Sequence, residues 1–289
     1  MSAQILNGKE LARQISEHLK QEIAHLKEKY GRVPRLASIF IGENPATKLY
    51  ISSQEKESHN HGIEFELHHL REDIAQKELV ELVKQLNQDS TITGIILHFP
   101  LPKQIMRSQV LNHVSPLKDV DGLTPENAGQ VLLGHVRIGS CTAQAVMELI
   151  HSTKINLRGK EAVIVGHSEL VGKPVSLLML EQLATVTTCH IATDERGLLS
   201  EHVRRAEILV VAVGKPGLIK GEWIRPGALV IDVGISNVNG KIMGDVEFEA
   251  AKQRASFITP VPGGVGPLTV IMLIRNVVKA YKFQRAKQE

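Results

Sequence analysis

The sequence predicts an α/β protein of two doubly wound units, each a mostly parallel sheet flanked by helices. Three observations predict it. Apolar stretches of strand length alternate along the chain with amphipathic stretches of helix length. The strand stretches, such as Ala162-Val163-Ile164-Val165, run without a polar break, as strands covered on both faces do. That stretch ends in a glycine-rich turn, Gly166-His167-Ser168, which leads through Gly172 into an apolar helix. The 289 residues suffice for one large domain or two of ordinary size.

Taken in order, Glu10 to Lys29 repeats apolar residues at Leu11, Ile15, Leu19, Ile23 and Leu26, which predicts a helix stopped by Gly31. Arg35 to Ile41 reads as a strand closed by Gly42. Asn44-Pro45 opens a helix, with Asn as N-cap and Pro preformed for the first turn. Tyr50 and Gln54, four residues apart, share one face of it. A strand (63–70), a helix (77–86) and a strand (93–99) follow, the last ended by Pro100-Leu101-Pro102. Asp119-Val120-Asp121-Gly122 reads as a loop and Thr142 to His151 as a linking helix. Strands over 162–165, 185–190, 208–213 and 229–233 make the second doubly wound unit. The stretch from Thr259 to Pro267 is too rich in Pro and Gly for regular structure, and a helix over 269–289 packs back on the first domain. The expected domains are therefore 1–140 with 269–289, and 141–268. A cleft between two such domains is where a ligand is expected.

Composition excludes several classes. The chain is 43% apolar and 22% charged, as soluble globular proteins are, and its 3% aromatic content implies an aliphatic core. A scattered net charge of +3 argues against nucleic acid as a partner. Cys141 and Cys189, the two cysteines, form neither a disulfide framework nor a zinc motif, which fits a reducing, cytoplasmic setting. No signal peptide or membrane span is visible. His59, His61, His68 and His69 lack metal-binding spacing and read as surface residues; no metal site is expected.

The turn after Val165 aims backbone N–H groups and the positive end of a helix at one place, which suits a phosphate. It departs from Gly-x-Gly-x-x-Gly in having Ser168 for the middle glycine and a last gap one residue longer. Any βα turn of an α/β protein offers the competing explanation.

Several separated motifs then agree. They are Gly42-x-Asn44-Pro45-Ala46 with Tyr50, Pro100-Leu101-Pro102, Lys118-Asp119-Val120-Asp121-Gly122, Gly166-x-Ser168-x-x-Val171-Gly172-x-Pro174, Gly214-Lys215-Pro216-Gly217, Asp232-Val233-Gly234-Ile235, Gly244-Asp245-Val246 and the run from Thr259 to Pro267. In this order the set resembles the bifunctional methylenetetrahydrofolate dehydrogenase/cyclohydrolase family. The resemblance implies oxidation of 5,10-methylenetetrahydrofolate by NADP, hydrolysis of the product to 10-formyltetrahydrofolate, and a homodimer. It implies that Tyr50 stacks on the folate, that Asp121 holds the pterin, and that Pro262, Gly263 and Gly264 lie beside the folate. It places Gly166, His167, Ser168, Lys173, Ile191 and Ile235 on the cofactor. The strand ending in Cys189-His190 lacks the acid an NAD enzyme would carry there, which favours NADP over NAD. An exposed helix-start lysine explains Lys173 about as well, and a loop-closing carboxylate explains Asp121 less well.

The chain also departs from the family it resembles. The family's Tyr-x-x-x-Lys ends here in Gln54, and the Gln of its Gln-x-Pro-x-Pro is His98. Its Pro-Cys-Thr-Pro is Ser140-Cys141-Thr142-Ala143, and its Asp-Val-Gly-Ile-Asn ends in Ser236. In the family the Lys moves protons during cyclohydrolysis and the Gln positions it. An amide is no acid or base at neutral pH, so the second activity is in doubt. His98 either takes over the proton work or is a hydrogen-bonded strand-end histidine. A folate- or NADP-binding paralogue without turnover and a dehydrogenase for another small substrate are the competing functions.

Overall fold

The computed structural model describes residues 2–286. In chain order the elements are β1 (Gln4–Ile5), α1 (Gly8–Tyr30), β2 (Arg35–Ile41), α2 (Pro45–Asn60), β3 (Glu64–Leu70), α3 (Gln76–Gln88), β4 (Gly94–Leu97), α4 (Arg107–Leu111), α5 (Pro125–Leu132) and α6 (Cys141–Ser152). They continue with β5 (Glu161–Val165), α7 (Gly172–Glu181), β6 (Thr185–Cys189), α8 (Ile191–Glu195), α9 (Leu199–Arg205), β7 (Ile208–Val211) and β8 (Leu229–Asp232). The hairpin strands β9 (Ser236–Val238) and β10 (Lys241–Met243), α10 (Phe248–Lys252), β11 (Phe257–Ile258) and α11 (Val265–Ala286) complete the chain.

The chain divides into two compact units. One, Gln14–Cys141 with residues 270–286, holds a parallel sheet of order β3-β2-β4. The central strand runs in register with both neighbours, Leu36 facing Phe65 and Gly94. Its side chains from Leu36 to Ile41 are all buried, as a middle strand covered on both faces requires. The core under this sheet is aliphatic, with Ile39, Leu79, Val83, Ile92 and Val110 among its members.

The other unit, residues 2–13 with Thr142–Thr269, holds a six-stranded sheet of order β1-β11-β8-β7-β5-β6. The bonded neighbours in it are parallel. Val163, Val165, Leu209, Val211 and Val230 lie in its core. The apolar runs read from sequence as buried strands are β5, β7 and β8, and all four residues of each of the last two are buried.

Three expectations are corrected. Residues 2–13 belong to the six-stranded unit and not to the first domain, because β1 pairs with β11, Gln4 opposite Phe257 and Ile5 opposite Ile258. Gly8 anchors this segment: its N–H bonds to Gly263 O at 3.0 Å, and a Cβ there would lie 1.7 Å from Gly264 O. The C-terminal helix starts at Val265, four residues before the expected Thr269, so Gly266 and Pro267 are helical. Pro is tolerated in a first turn because its missing N–H has no intrahelical partner there. Residues 287–289 of the expected helix lie outside the described residues. His61 is buried, its Nε2 2.8 Å from Ser16 Oγ. The β9–β10 hairpin, unforeseen, turns through Asn239 (φ 51°) and Gly240 (φ 80°), the left-handed pair that a two-residue hairpin favours.

α11 is tied to the three-stranded unit by Asn276. Its buried amide donates to Val120 O and to Gly139 O, each at 2.9 Å. Asn276→Ala should lower stability by about 1–3 kcal/mol, the cost of leaving a buried carbonyl unbonded. Urea unfolding followed by circular dichroism measures this, and an unchanged midpoint would show that the tie is dispensable.

Candidate functional site

In the three-stranded unit, local sequence places the first group. Asn44 caps α2, its side chain accepting from Thr47 N–H at 3.0 Å, with Pro45 in the first turn. The helix therefore presents Tyr50, Gln54 and Ser58, at steps of four, on one face. Gln54 and Ser58 are completely buried. Lys56 is exposed and stands off this face, so it is no substitute for a lysine at position 54.

His98 follows β4. Its backbone N–H bonds to Ile39 O at 3.0 Å, and its Nε2 lies 2.8 Å from the hydroxyl of buried Ser38 on β2. The imidazole meets the Tyr50 ring edge-to-face, centroids 6.0 Å apart. Burial pushes the His98 pKa down to about 4, so the ring is neutral at pH 7. The Ser38 contact and the lowered pKa favour the hydrogen-bonded strand-end histidine over a proton carrier titrating in the ordinary histidine range.

Asp121 lies where the Asp-Val-Asp-Gly loop approaches the start of α6. Burial, followed by the Asp119 charge, pushes its pKa up to about 7, against hydrogen bonds from the Cys141 thiol and N–H and the pull of Arg107. Asp119 itself is a structural carboxylate, accepting from Thr124 N–H at 2.8 Å and Asn127 Nδ2 at 2.9 Å. Burial, then Cys141 and Asp121, hold the Tyr50 phenol well above its usual range, so it stays protonated. Tyr50, Gln54, His98 and Asp121 are thus one cluster.

The Gln54 amide approaches the Tyr50 hydroxyl, which eases deprotonation of the phenol slightly. The approach falls short of hydrogen-bond geometry, and Nε2 and Oε1 of Gln54 and Oγ of Ser58 all lack partners. A buried polar group without a partner costs about 1–3 kcal/mol. The cluster therefore offers a fixed donor and acceptor beside a tyrosine ring and a carboxyl. A cavity of about 420 Å³ beside Arg35 and Glu64, at the opposite ends of these strands, contains none of these residues.

In the six-stranded unit the turn after β5 has the shape a dinucleotide needs. Gly166 has φ 116°, and a Cβ there would lie 2.3 Å from Ala212 O. A Cβ on Gly172 would lie 2.0 Å from Gly166 O, so both positions require glycine. Ser168 Oγ accepts from Val171 N–H at 3.2 Å, while His167 and Ser168 remain exposed ahead of α7. Lys173 is exposed in the first turn of α7, its ammonium 4.0 Å from Glu169.

His190, which the sequence reading passed over, stands at the end of β6 with its ring 5.3 Å from that of His167. Ile191 and Ile235 are apolar yet 72% and 59% exposed, as side chains that meet a planar ring would be. Pro262, Gly263 and Gly264 form the turn ahead of α11, with Gly263 at φ 107°. A Cβ on Gly266, just beyond, would lie 3.8 Å from Ile235 Cδ1, so this turn and Ile235 are neighbours. Among the described residues no cluster of three His, Cys, Asp or Glu is arranged for a metal, and no helix is long and apolar enough to cross a membrane.

Comparison with known proteins matches both parts of the chain. The tetrahydrofolate dehydrogenase/cyclohydrolase catalytic domain model matches residues 6–121, and the NAD(P)-binding domain model of the same family matches residues 140–285. The bifunctional protein FolD of Acetivibrio thermocellus is 48% identical over 285 residues, which cover 98% of this chain and 99% of the relative. The crystal structure of the FolD dehydrogenase/cyclohydrolase of Campylobacter jejuni superposes with a TM-score of 0.94 at 41% identity, covering 98% of this chain and 100% of the other. That of Trypanosoma brucei, complexed with NADP and an inhibitor, gives 0.94 at 37% identity and 99% of both chains. With both of its units matched and nearly its whole length aligned, the chain belongs to the tetrahydrofolate dehydrogenase/cyclohydrolase family.

Proposed function

We propose that this protein oxidises 5,10-methylenetetrahydrofolate to 5,10-methenyltetrahydrofolate with NADP, and that it hydrolyses the product to 10-formyltetrahydrofolate only weakly. One observation carries the reading: Tyr50 and Asp121 share one buried cluster, while both neighbours in the positions that would move protons, Gln54 and His98, are neutral at pH 7. Bound NADP supplies the hydride acceptor, so the oxidation needs no protein acid or base. The protein's part there is alignment. Tyr50 offers its ring face to the folate, and Asp121 accepts from the pterin amino and N–H groups. Hydrolysis differs, because water must lose a proton as it attacks the methenyl carbon. Loss of a positioned proton carrier typically removes ~10²–10⁴-fold of such a rate.

The glycine turn and the absence of an acid at His190-Ile191 support NADP over NAD. His167, in the turn after β5, and His190, at the end of β6, meet edge-to-face and are better placed than Lys173 for a 2′-phosphate. A homodimer is supported by the exposed apolar side chains Val238, Ile242 and Met243 on the β9–β10 hairpin, and sedimentation equilibrium tests it. The buried free thiols Cys141 and Cys189 support a cytoplasmic setting.

Three outcomes are expected. NADP should exceed NAD in kcat/KM, and His190→Ala should narrow the gap more than Lys173→Ala; equal efficiencies with both cofactors would contradict the assignment. Asp121→Ala should weaken folate binding by roughly 1.5–3 kcal/mol or more and leave NADP binding unchanged. Asp121 is ionised above its pKa of about 7, so wild-type tetrahydrofolate affinity should fall as pH drops through that value. Anaerobic calorimetry from pH 6 to 8 reads both effects, and a flat profile would remove Asp121 from the pterin site. Finally, methenyltetrahydrofolate hydrolysis should run near the uncatalysed rate, rise in Gln54→Lys and rise further in Gln54→Lys with His98→Gln. Following NADPH and methenyltetrahydrofolate absorbance together tests this, and fast hydrolysis by the unmodified protein, indifferent to His98→Ala, would sink it.

A further inference from the structure

Two aspartates are buried close together where β7 and β8 end. Asp232 closes β8 and is 4% exposed; Asp245, before α10, is 0% exposed. Asp232 Oδ1 accepts from Gly234 N–H and Asp245 N–H, both at 3.0 Å, and its Oδ2 accepts from Val246 N–H at 2.9 Å. Asp245 Oδ2 accepts from Val213 N–H at 2.7 Å and Gly214 N–H at 2.9 Å. Five backbone N–H groups from three separate segments are thus fastened to two carboxylates. The packing leaves no room for side chains. A Cβ on Gly234 would lie 2.1 Å from Asp245 Cγ, and one on Gly244 would lie 2.1 Å from Asp232 Oδ2.

The charge on this pair has no counter-ion. No salt bridge among the described residues reaches either carboxylate. From the β11 side Asp232 meets the neutral Thr259 hydroxyl, which accepts from its N–H at 2.8 Å. Lys215, on the loop after β7, is drawn instead toward Asp194, at 3.5 Å. Asp245 is the ionisable group that bears on Asp232, and it does so by repulsion. Two buried carboxylates that close, without a cation, do not both ionise readily. One oxygen, Asp245 Oδ1, has no hydrogen-bond partner and is available to accept a shared proton.

The fastened segments carry Gly214 and Ile235, and Ile235, placed above on the cofactor, is an exposed apolar side chain that suits the flat nicotinamide ring. We infer that Asp232 and Asp245 act as positioning residues for the nicotinamide end of the cofactor site, as a buried pair that holds one proton. This rests on the NADP reading of that edge. Loss of the proton leaves two like charges facing each other in the interior. The segments they hold then separate, so dinucleotide affinity falls while folate affinity does not. The pKa of Asp232, pushed up to about 7 mainly by burial and further by Asp245, puts the loss within the neutral range. Two of the three backbone donors to Asp232, Gly234 N–H and Asp245 N–H, share one oxygen, so Asp232→Asn can keep that acceptor as its amide oxygen while removing the ionisation.

The test uses the full chain with carboxyl-¹³C aspartate. Asp121 is expected to titrate in the same range, so spectra are taken for wild type, Asp121→Asn and Asp232→Asn. One high-pKa resonance should survive Asp121→Asn, vanish in Asp232→Asn, and shift to higher pKa when NADP is added. In parallel, dissociation constants of NAD and NADP are measured from pH 6 to 9. NAD, without a 2′-phosphate, separates the pair from titration of the ligand. Wild-type affinity for both should fall by up to roughly tenfold per pH unit above the ionisation, and Asp232→Asn should bind both with little pH dependence. Identical profiles for wild type and Asp232→Asn, or no Asp232-dependent titration above pH 6, would overturn the inference alone. Failure of the wild type to bind either dinucleotide at any pH would overturn the cofactor reading and this inference with it.

Discussion

Parallel pairing of strands buried on both faces is the constraint on which the rest of this structure depends. Parallel neighbours must be joined by crossovers, and the helices that make them cover the sheet, so side chains with chemistry are displaced to the strand ends. His98 lies just past β4, Gly166 just past β5, His190 just past β6, Gly214 past β7, and Asp232 and Ile235 at and past β8. The C-terminal ends of parallel strands are where open α/β sheets bind ligands. The cavity by Arg35 and Glu64 lies at the other ends of its strands and has none of these groups.

Burial is the common cause behind the electrostatics of the site, and its sign depends on the group. It penalises the charged form, so it pushes the carboxyls of Asp121 and Asp232 up and the imidazole of His98 down. At pH 7 the result is a cluster with little charge to move: a neutral ring, a protonated phenol, a neutral amide and a carboxyl near its midpoint. Such a cluster offers an aromatic ring, amide groups and a carboxyl for contact, and is poorly suited to carrying a proton to and from water. On the function proposed above, the two reactions make different demands on the same few side chains, and Gln54 and His98 suit the oxidation better than the hydrolysis.

Structural groups support the functional ones throughout. Ser38 fixes the His98 ring, Cys141 bonds Asp121, and Asn276 of α11 holds the backbone at Val120 and Gly139 on either side of that loop. None of these three belongs to a motif with an obvious chemical role. Each acts by satisfying a hydrogen bond that would otherwise be left open in the interior.

By itself the sequence determined the α/β class, most of the strands and helices, the glycine turn, and the shared face of Tyr50 and Gln54. All of these are local: they depend on periodicity, capping and turn chemistry within a few residues. It also showed that position 54 holds a group that cannot act as acid or base, because residue type alone decides what can ionise. Only the tertiary structure decided the placement of residues 2–13, since a two-residue strand carries no pattern and β1 finds β11 some 250 positions away in the chain. Only it showed His61 to be buried, His190 to stand against His167, and Asp232 and Asp245 to share one interior site. The surroundings of His98 were decided the same way. A histidine's charge state follows from how much water and which partners surround it, and those are set by contacts between segments far apart in the chain.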